Sequence, residues 1–254
     1  MFDSGVGGLS VLRAIRQELP DEDVLYVGDS GFAPYGDKPA EFVRERAEAI
    51  VQFLVNEGAK AVVVACNTAT GIAVDELRAR FQVPIVAVEP AVKPASTRSR
   101  SGVVGILATA GTVASPNLSR LMDSHGMDVR FLVQPCPGLA EQVERGEFTS
   151  GKTRALVEQY VQPLVDQGAD ILVLGCTHYP FLRDVIQSVA GPGVELIDPA
   201  DAVARELRRR LEKAGLLGAA GRPGQQRFWT TGPDGQTAAV MSQLLGEPIT
   251  VNHL

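Results

Sequence analysis

Short β-branched runs alternate along this chain with stretches in which apolar residues recur every three or four positions. The runs at residues 24–28, 61–65, 85–88, 103–107, 129–134, 171–174, 194–197 and 227–231 read as strands. Between them lie amphipathic helices. Phe42, Val43, Ala47, Ile50, Val51 and Leu54 share one helical face, as do Leu9, Leu12, Ile15 and Leu19, and again Leu118, Leu121, Met122 and His125. Ser115 suits the N-cap of the last of these, Pro116 its first position and Gly126 its close. Pro163 is expected to kink or interrupt the helix around residues 156–165. Strands alternating with helices predict an α/β protein with largely parallel sheets.

An internal repeat sharpens that picture. Residues 55–66 align without gaps on residues 165–176, with Val55, Gly58, Ala59, Val63 and Cys66 falling on Val165, Gly168, Ala169, Val173 and Cys176. Glu89-Pro90-Ala91 resembles Asp198-Pro199-Ala200 at nearly the same offset, and Asp3-Ser4-Gly5 resembles Thr109-Ala110-Gly111. The expected architecture is therefore two pseudo-symmetric α/β domains, residues 1–93 with 206–254 and residues 94–205, with the active site between them. The boundary falls near Lys93-Pro94-Ala95-Ser96, and residues 216–226 form a flexible connection before a last strand and helix. Each half carries one cysteine just after an apolar strand. In open parallel sheets, ligand sites form outside the carboxyl ends of the strands.

Composition removes several classes of function. The chain has 254 residues, 45% hydrophobic and 21% charged, as in an ordinary folded protein. Its richest apolar stretch, residues 61–66, is far short of the roughly 18 residues that cross a bilayer. No membrane span is expected. The start at Met1-Phe2-Asp3-Ser4-Gly5 has neither a basic leader nor an apolar signal core, which predicts a cytoplasmic protein. A net charge of -6, with Arg208-Arg209-Arg210 the one basic block, argues against nucleic acid as a partner. Three cysteines in such a chain are expected to be free thiols, and neither they nor the three histidines form a pair with metal-ligand spacing.

Candidate chemistry collects at the strand ends. Cys66-Asn67-Thr68 and Cys176-Thr177-His178 each follow a buried strand, where free backbone N–H groups with Asn67, Thr68 and Thr177 can hold a charged substrate group. A lone cysteine at a strand end is more often simply packed there, but the repeat and the polar residues trailing both thiols favour a catalytic pair. An unperturbed thiol is only about 3% ionised at pH 7, so half-ionisation needs about 2 kcal/mol of thiolate stabilisation. A helix N-terminus can supply much of that. Asp3-Ser4-Gly5-Val6-Gly7-Gly8 is a poor phosphate loop, and reads instead as a carboxylate at a strand end with glycines that let substrate approach the backbone. Pro34-Tyr35-Gly36 forms a turn able to cap a ligand, and Thr109 and Thr112 occupy the matching place in the second half. His178 stands two residues from a candidate thiol and can orient it or stabilise its ionised form. After Cys136-Pro137-Gly138, spacing alone does not choose between Glu141 and Glu144.

Taken together, Phe2-Asp3-Ser4-Gly5-Val6-Gly7-Gly8-Leu9-Ser10-Val11, Pro34-Tyr35-Gly36, Cys66-Asn67-Thr68-Ala69 and Gly175-Cys176-Thr177-His178-Tyr179-Pro180 resemble the bacterial glutamate racemases over nearly the whole chain. The resemblance implies cofactor-independent interconversion of L- and D-glutamate by two bases, supplying D-glutamate for peptidoglycan. It also implies Cys66 acting on D-glutamate with help from Asp3, and Cys176 acting on L-glutamate with help from His178 and Glu144. Glu144 is preferred because the family's glutamate lies eight residues after the cysteine of the Cys-Pro pair, with a glycine close behind, as Gly146 is here. Ser4, Pro34, Tyr35, Gly36, Asn67, Thr68, Thr109, Thr112 and Thr177 correspond to its substrate-binding residues, and a homodimer is expected. Members carry residues ahead of Phe-Asp-Ser-Gly, so a chain beginning at Met1 is expected to have a shortened first strand and to work without an activator.

Two other readings compete with this one. An aspartate or hydantoin racemase of the same superfamily shares the fold, but the full Gly-Cys-Thr-His-Tyr-Pro motif favours glutamate. A non-catalytic two-lobed binder of a small acid would bind without racemising. Pyridoxal chemistry is disfavoured, since none of the five lysines lies in the cysteine constellation.

Overall fold

The computed structural model describes residues 1–125, 128–219 and 221–254. Among the described residues ten strands form two sheets, every pairing parallel. In chain order they are β1 (Phe2–Asp3), β2 (Val24–Gly28), β3 (Val62–Val64), β4 (Ile85–Ala87), β5 (Val103–Ala108), β6 (Arg130–Pro135), β7 (Ile171–Gly175), β8 (Glu195–Ile197), β9 (Gln226–Thr230) and β10 (Val251–His253). The first sheet runs β10-β9-β2-β1-β3-β4 and the second β6-β5-β7-β8. The order β2-β1-β3-β4 is thus the order β6-β5-β7-β8, so the sequence repeat corresponds to equivalent strands in equivalent places. Asp3 ends β1 and Thr109 follows its counterpart β5, while Cys66 and Cys176 follow the matched pair β3 and β7.

All eight expected strands are present to within a residue or so at each end. Two more complete the first sheet: β1, the shortened first strand that the family resemblance implied, and β10, for which the pattern gave no sign. β1 is only two residues long, yet it sits at the centre of its sheet, pairing Phe2 with Val27 and with Val64. β10 is a half-exposed edge strand with Val251, Asn252 and His253 opposite Phe228, Trp229 and Thr230.

The helices bury the faces that the sequence pattern assigned to them. Val43, Ala47, Ile50, Val51 and Leu54 line the inner face of helix Ala40–Asn56, while Phe42 is half-buried. Helix Leu9–Glu18 buries Leu9, Leu12 and Ile15 and ends at the buried Leu19. Helix Pro116–His125 opens at Ser115, whose hydroxyl accepts the Leu118 N–H at 3.3 Å. The expected close at Gly126 lies outside the described residues.

Pro163 does not interrupt its helix, which runs from Gly151 to Asp166. A proline there removes one ladder bond near the C-terminal end, and the buried Val157, Tyr160, Val161 and Leu164 hold the turn around it. The described residues after Leu216 are less free than glycines suggest: Gly218 N–H bonds Glu22, Gly224 N–H bonds the Pro20 carbonyl, and Gln225 N–H bonds Asp23. Ala220 lies outside the described residues.

One apolar cluster runs through both halves, joining Leu9, Leu12 and Tyr26 to Leu107, Val143, Leu172 and Leu174. Helix Ala200–Ala214 packs against Leu9–Glu18 and carries the chain back toward the first sheet. The carboxyl ends of β1, β3, β5 and β7 consequently open onto one cleft.

Candidate active site

Both thiols reach that cleft. Cys66 and Cys176 line the same narrow cavity, together with Ser4, Pro34, Tyr35, Gly36, Asn67, Thr68, Thr109, Thr112, Thr177, His178 and Ala140. Its free space is about 10 Å³, room for a single water. Asp3 and Glu144 do not line it and instead bond the groups that do. Ala140 was the one lining residue without a signal in the sequence; it lies a helical turn before Glu144 on helix Leu139–Glu144.

The Cys66 side is built on a helix start. Cys66 is the N-cap of helix Asn67–Arg80, its sulfur accepting the Ala69 N–H at 3.5 Å and lying 3.7 Å from Ser4 Oγ. Burial pushes this thiol up to about 12, the Asp3 charge adds to the rise, and the Ala69 and Ser4 bonds only partly offset it. The helix N-terminus therefore does not lower the thiol as its position suggests: removal from water outweighs the dipole. Asp3 is fully buried at the end of β1, where Oδ2 accepts the N–H groups of Gly5 at 3.2 Å and Gly8 at 3.0 Å, and Oδ1 accepts the Thr177 hydroxyl at 3.1 Å. Burial raises its carboxyl to about 6, against the opposing pull of His178.

On the other side Cys176 Sγ lies 3.6 Å from His178 Nδ1, and His178 Nε2 lies 2.6 Å from Glu144 Oε1. Burial opposes a charge on His178, but its bonds to Cys176 and Glu144 prevail and hold it well above the usual imidazole range. As an imidazolium it donates from both nitrogens, one toward the sulfur and one to the carboxylate. Glu144 also accepts the Val6 N–H at 2.7 Å and the Ser30 hydroxyl at 3.0 Å. Glu141, the alternative acid, makes none of these contacts.

The remaining wall is polar and small. Thr68 Oγ1 is 2.9 Å from Thr109 Oγ1 and 3.3 Å from Thr112 Oγ1, and Thr109 caps the short helix Ala110–Val113. Asn67 is 5% exposed, and neither its amide oxygen nor its nitrogen has a protein partner. A buried amide left so is costly unless a ligand satisfies it. Tyr35 is fixed from behind by its hydroxyl, which donates to the buried Asp29; Arg46 pairs bidentately with the same carboxylate. Neither Asp29 nor Arg46 announced itself in the sequence.

The glycines of the Asp3–Gly8 segment make room for the second half: a Cβ on Gly5 would meet the Glu144 carboxyl and one on Gly7 would meet the His178 ring. Cys136 stays outside the cavity, its thiol also pushed up to about 12 by burial. Arg208, Arg209 and Arg210 are paired with Glu18, Glu206 and Glu212, which neutralises the one basic block. Among the described residues no helix is long and apolar enough to cross a membrane, and no cluster of ligating side chains could hold a metal.

Comparison with known proteins agrees with this arrangement. The profile of the Asp/Glu/hydantoin racemase family matches residues 7–207. The glutamate racemase of Ectopseudomonas mendocina is 53% identical over 254 residues, covering 99% of this chain and 96% of that protein. A glutamate racemase isoform of Bacillus anthracis superposes with a TM-score of 0.89 at 32% identity, covering 100% of this chain and 95% of that one. The Escherichia coli glutamate racemase, solved with L-glutamate and the activator UDP-MurNAc-Ala, superposes with a TM-score of 0.88 at 31% identity, covering 100% and 96%.

Proposed function

The chain belongs to the Asp/Glu/hydantoin racemase family and its reaction is the interconversion of L- and D-glutamate; we propose that two thiols perform it, one on each face of Cα. The observation that carries this reading is that Cys66 and Cys176, on matched strand ends of two equivalent sheets, line one cavity.

In the L-to-D direction the Cys176 thiolate takes the Cα proton and the Cys66 thiol delivers its own to the opposite face. Cys66 begins protonated, as its burial requires. One proton is removed and one added, so the product differs only in configuration, and the sulfurs have exchanged protonation states. The D-to-L direction is the reverse, with Cys66 as base. His178, held by Glu144, exchanges a proton with Cys176, while Asp3 serves Cys66. Asn67, whose amide lacks a protein partner, with Ser4, Thr177 and the helix start behind Cys66, holds one end of the substrate. Thr68, Thr109 and Thr112, with Pro34, Tyr35 and Gly36, hold the other.

No cofactor takes part in this scheme. The D-glutamate formed supplies peptidoglycan, which places the protein in the cytoplasm. The lobes are residues 1–93 with 206–254 and residues 94–205, helix Ala200–Ala214 bridging the second crossing, and the working unit is a homodimer. Incubating the protein with L-glutamate in D2O tests the scheme: optical rotation should decay to zero while the Cα proton signal is lost in step. Loss of the proton without inversion would leave only one working base.

A further inference from the structure

The two lobes hold each other's carboxylates. Asp3 of the first accepts the Thr177 hydroxyl of the second, and Glu144 of the second accepts the Val6 N–H and the Ser30 hydroxyl of the first. Glu144 is the last residue of its helix. Its Oε1 serves both Val6 N–H at 2.7 Å and His178 Nε2 at 2.6 Å. A carboxylate bonded through one oxygen alone can still turn about its last carbon–carbon bond, and any turn would carry Oε1 away from the imidazole. Ser30 prevents this by donating to Oε2 at 3.0 Å. Ser30 itself lines neither the cavity nor either thiol.

We propose that Ser30 is a positioning residue for the Cys176 half of the reaction, acting through Glu144 and His178. The proposal rests on the two-thiol scheme above. The cavity has room for only one water, so its walls must move to admit glutamate; in this proposal the lobes part, which takes Glu144 away from both first-lobe donors. Each closure then has to seat the carboxylate again, and the Ser30 hydroxyl fixes the orientation in which it lands. The Glu144–His178 pair lies wholly in the second lobe, and only the closed molecule adds the first-lobe donors that orient it.

Primary isotope effects on kcat/KM read the two proton transfers separately. Because the enantiomers have equal free energy, kcat/KM is the same in both directions and cannot itself show which side is impaired. Deuterium at Cα of L-glutamate reports the Cys176 step, and deuterium at Cα of D-glutamate reports the Cys66 step. For Ser30→Ala, kcat should fall about tenfold, as expected when a hydrogen bond to a carboxylate is lost. The L-side isotope effect should rise while the D-side effect falls toward one, with the thermal midpoint close to that of the parent. In the Glu144→Ala background the same substitution should change neither isotope effect, because its route to the thiol is gone. Unchanged isotope effects, a parallel change in both, the opposite asymmetry, or an undiminished effect in the Glu144→Ala background would each overturn the proposal. Absence of any Cα exchange in the unmodified protein would instead sink the two-thiol scheme on which it rests.

Discussion

Burying the Asp3 carboxyl costs stability, and its replacement by asparagine makes that cost measurable. Burial raises its carboxyl from 3.8 to about 6. The folded state therefore binds more protons than the unfolded state between those values. Stability from this group is complete below pH 3.8 and is lost as pH rises through about 6. A shift of about two units corresponds to about 3 kcal/mol. Asp3→Asn has no such proton, so relative to the parent it should gain about 3 kcal/mol between pH 4 and pH 7, or on the order of 6–12 °C in Tm for a chain of this size. Changed hydrogen bonds to Gly5, Gly8 and Thr177 shift the variant by an amount independent of pH, so the difference between the two pH profiles isolates the charge. Urea unfolding of both proteins across that range gives the answer, and racemisation should be nearly abolished in the variant. Parallel stability profiles, or a parent that gains on the variant as pH rises, would refute the reasoning.

Three other perturbations test separate parts of the site. With its thiol near 12, Cys66 should react with iodoacetamide at pH 7 on the order of 100-fold more slowly than free cysteine, after allowing for the greater nucleophilicity of a more basic sulfur. Peptide mass spectrometry should show its rate climbing tenfold per pH unit above pH 9; labelling at the free-cysteine rate at pH 7 would contradict the assigned environment. Glu144→Gln removes the negative partner of His178, so the imidazole titration followed by NMR should move down toward its ordinary range, and an unmoved titration would show that Glu144 is not what holds it up. Gly5→Ala puts a methyl 2.6 Å from the Glu144 carboxyl carbon, so kcat should drop by about 100-fold while stability falls by only about 1–3 kcal/mol. Activity within twofold of the parent would mean that the carboxylate can be displaced harmlessly.

The sequence carried the thiols and most of the wall because the repeat aligned two apolar strands ending in cysteine, and because small polar residues at strand ends have few purely structural uses. What it hid was set by tertiary contact. β1, two residues long and too short for any periodicity, was legible only through the family resemblance, and its central place in the sheet was not legible at all. Ser30 and the Val6 N–H matter only because another lobe brings a carboxylate to them. Gly5 and Gly7 were legible as positions needing space, but the occupant of that space, Glu144 and His178, is more than a hundred residues away in the chain. The Cys66 thiol departs from its expectation for a related reason: a helix start is visible in sequence, whereas burial beside Asp3 is not. Pro163 failed to break its helix because the packed residues around it hold the turn.

Single-cysteine variants examine the two-sided chemistry most directly, each offered pure L- or pure D-glutamate in D2O with Cα exchange followed by NMR. Cys66→Ser, keeping Cys176, should wash the Cα proton from L-glutamate only and return it without inversion. Cys176→Ser should do the same with D-glutamate alone. Exchange of the same enantiomer by both variants, or full racemisation by either, would contradict the assignment of one thiol to each face.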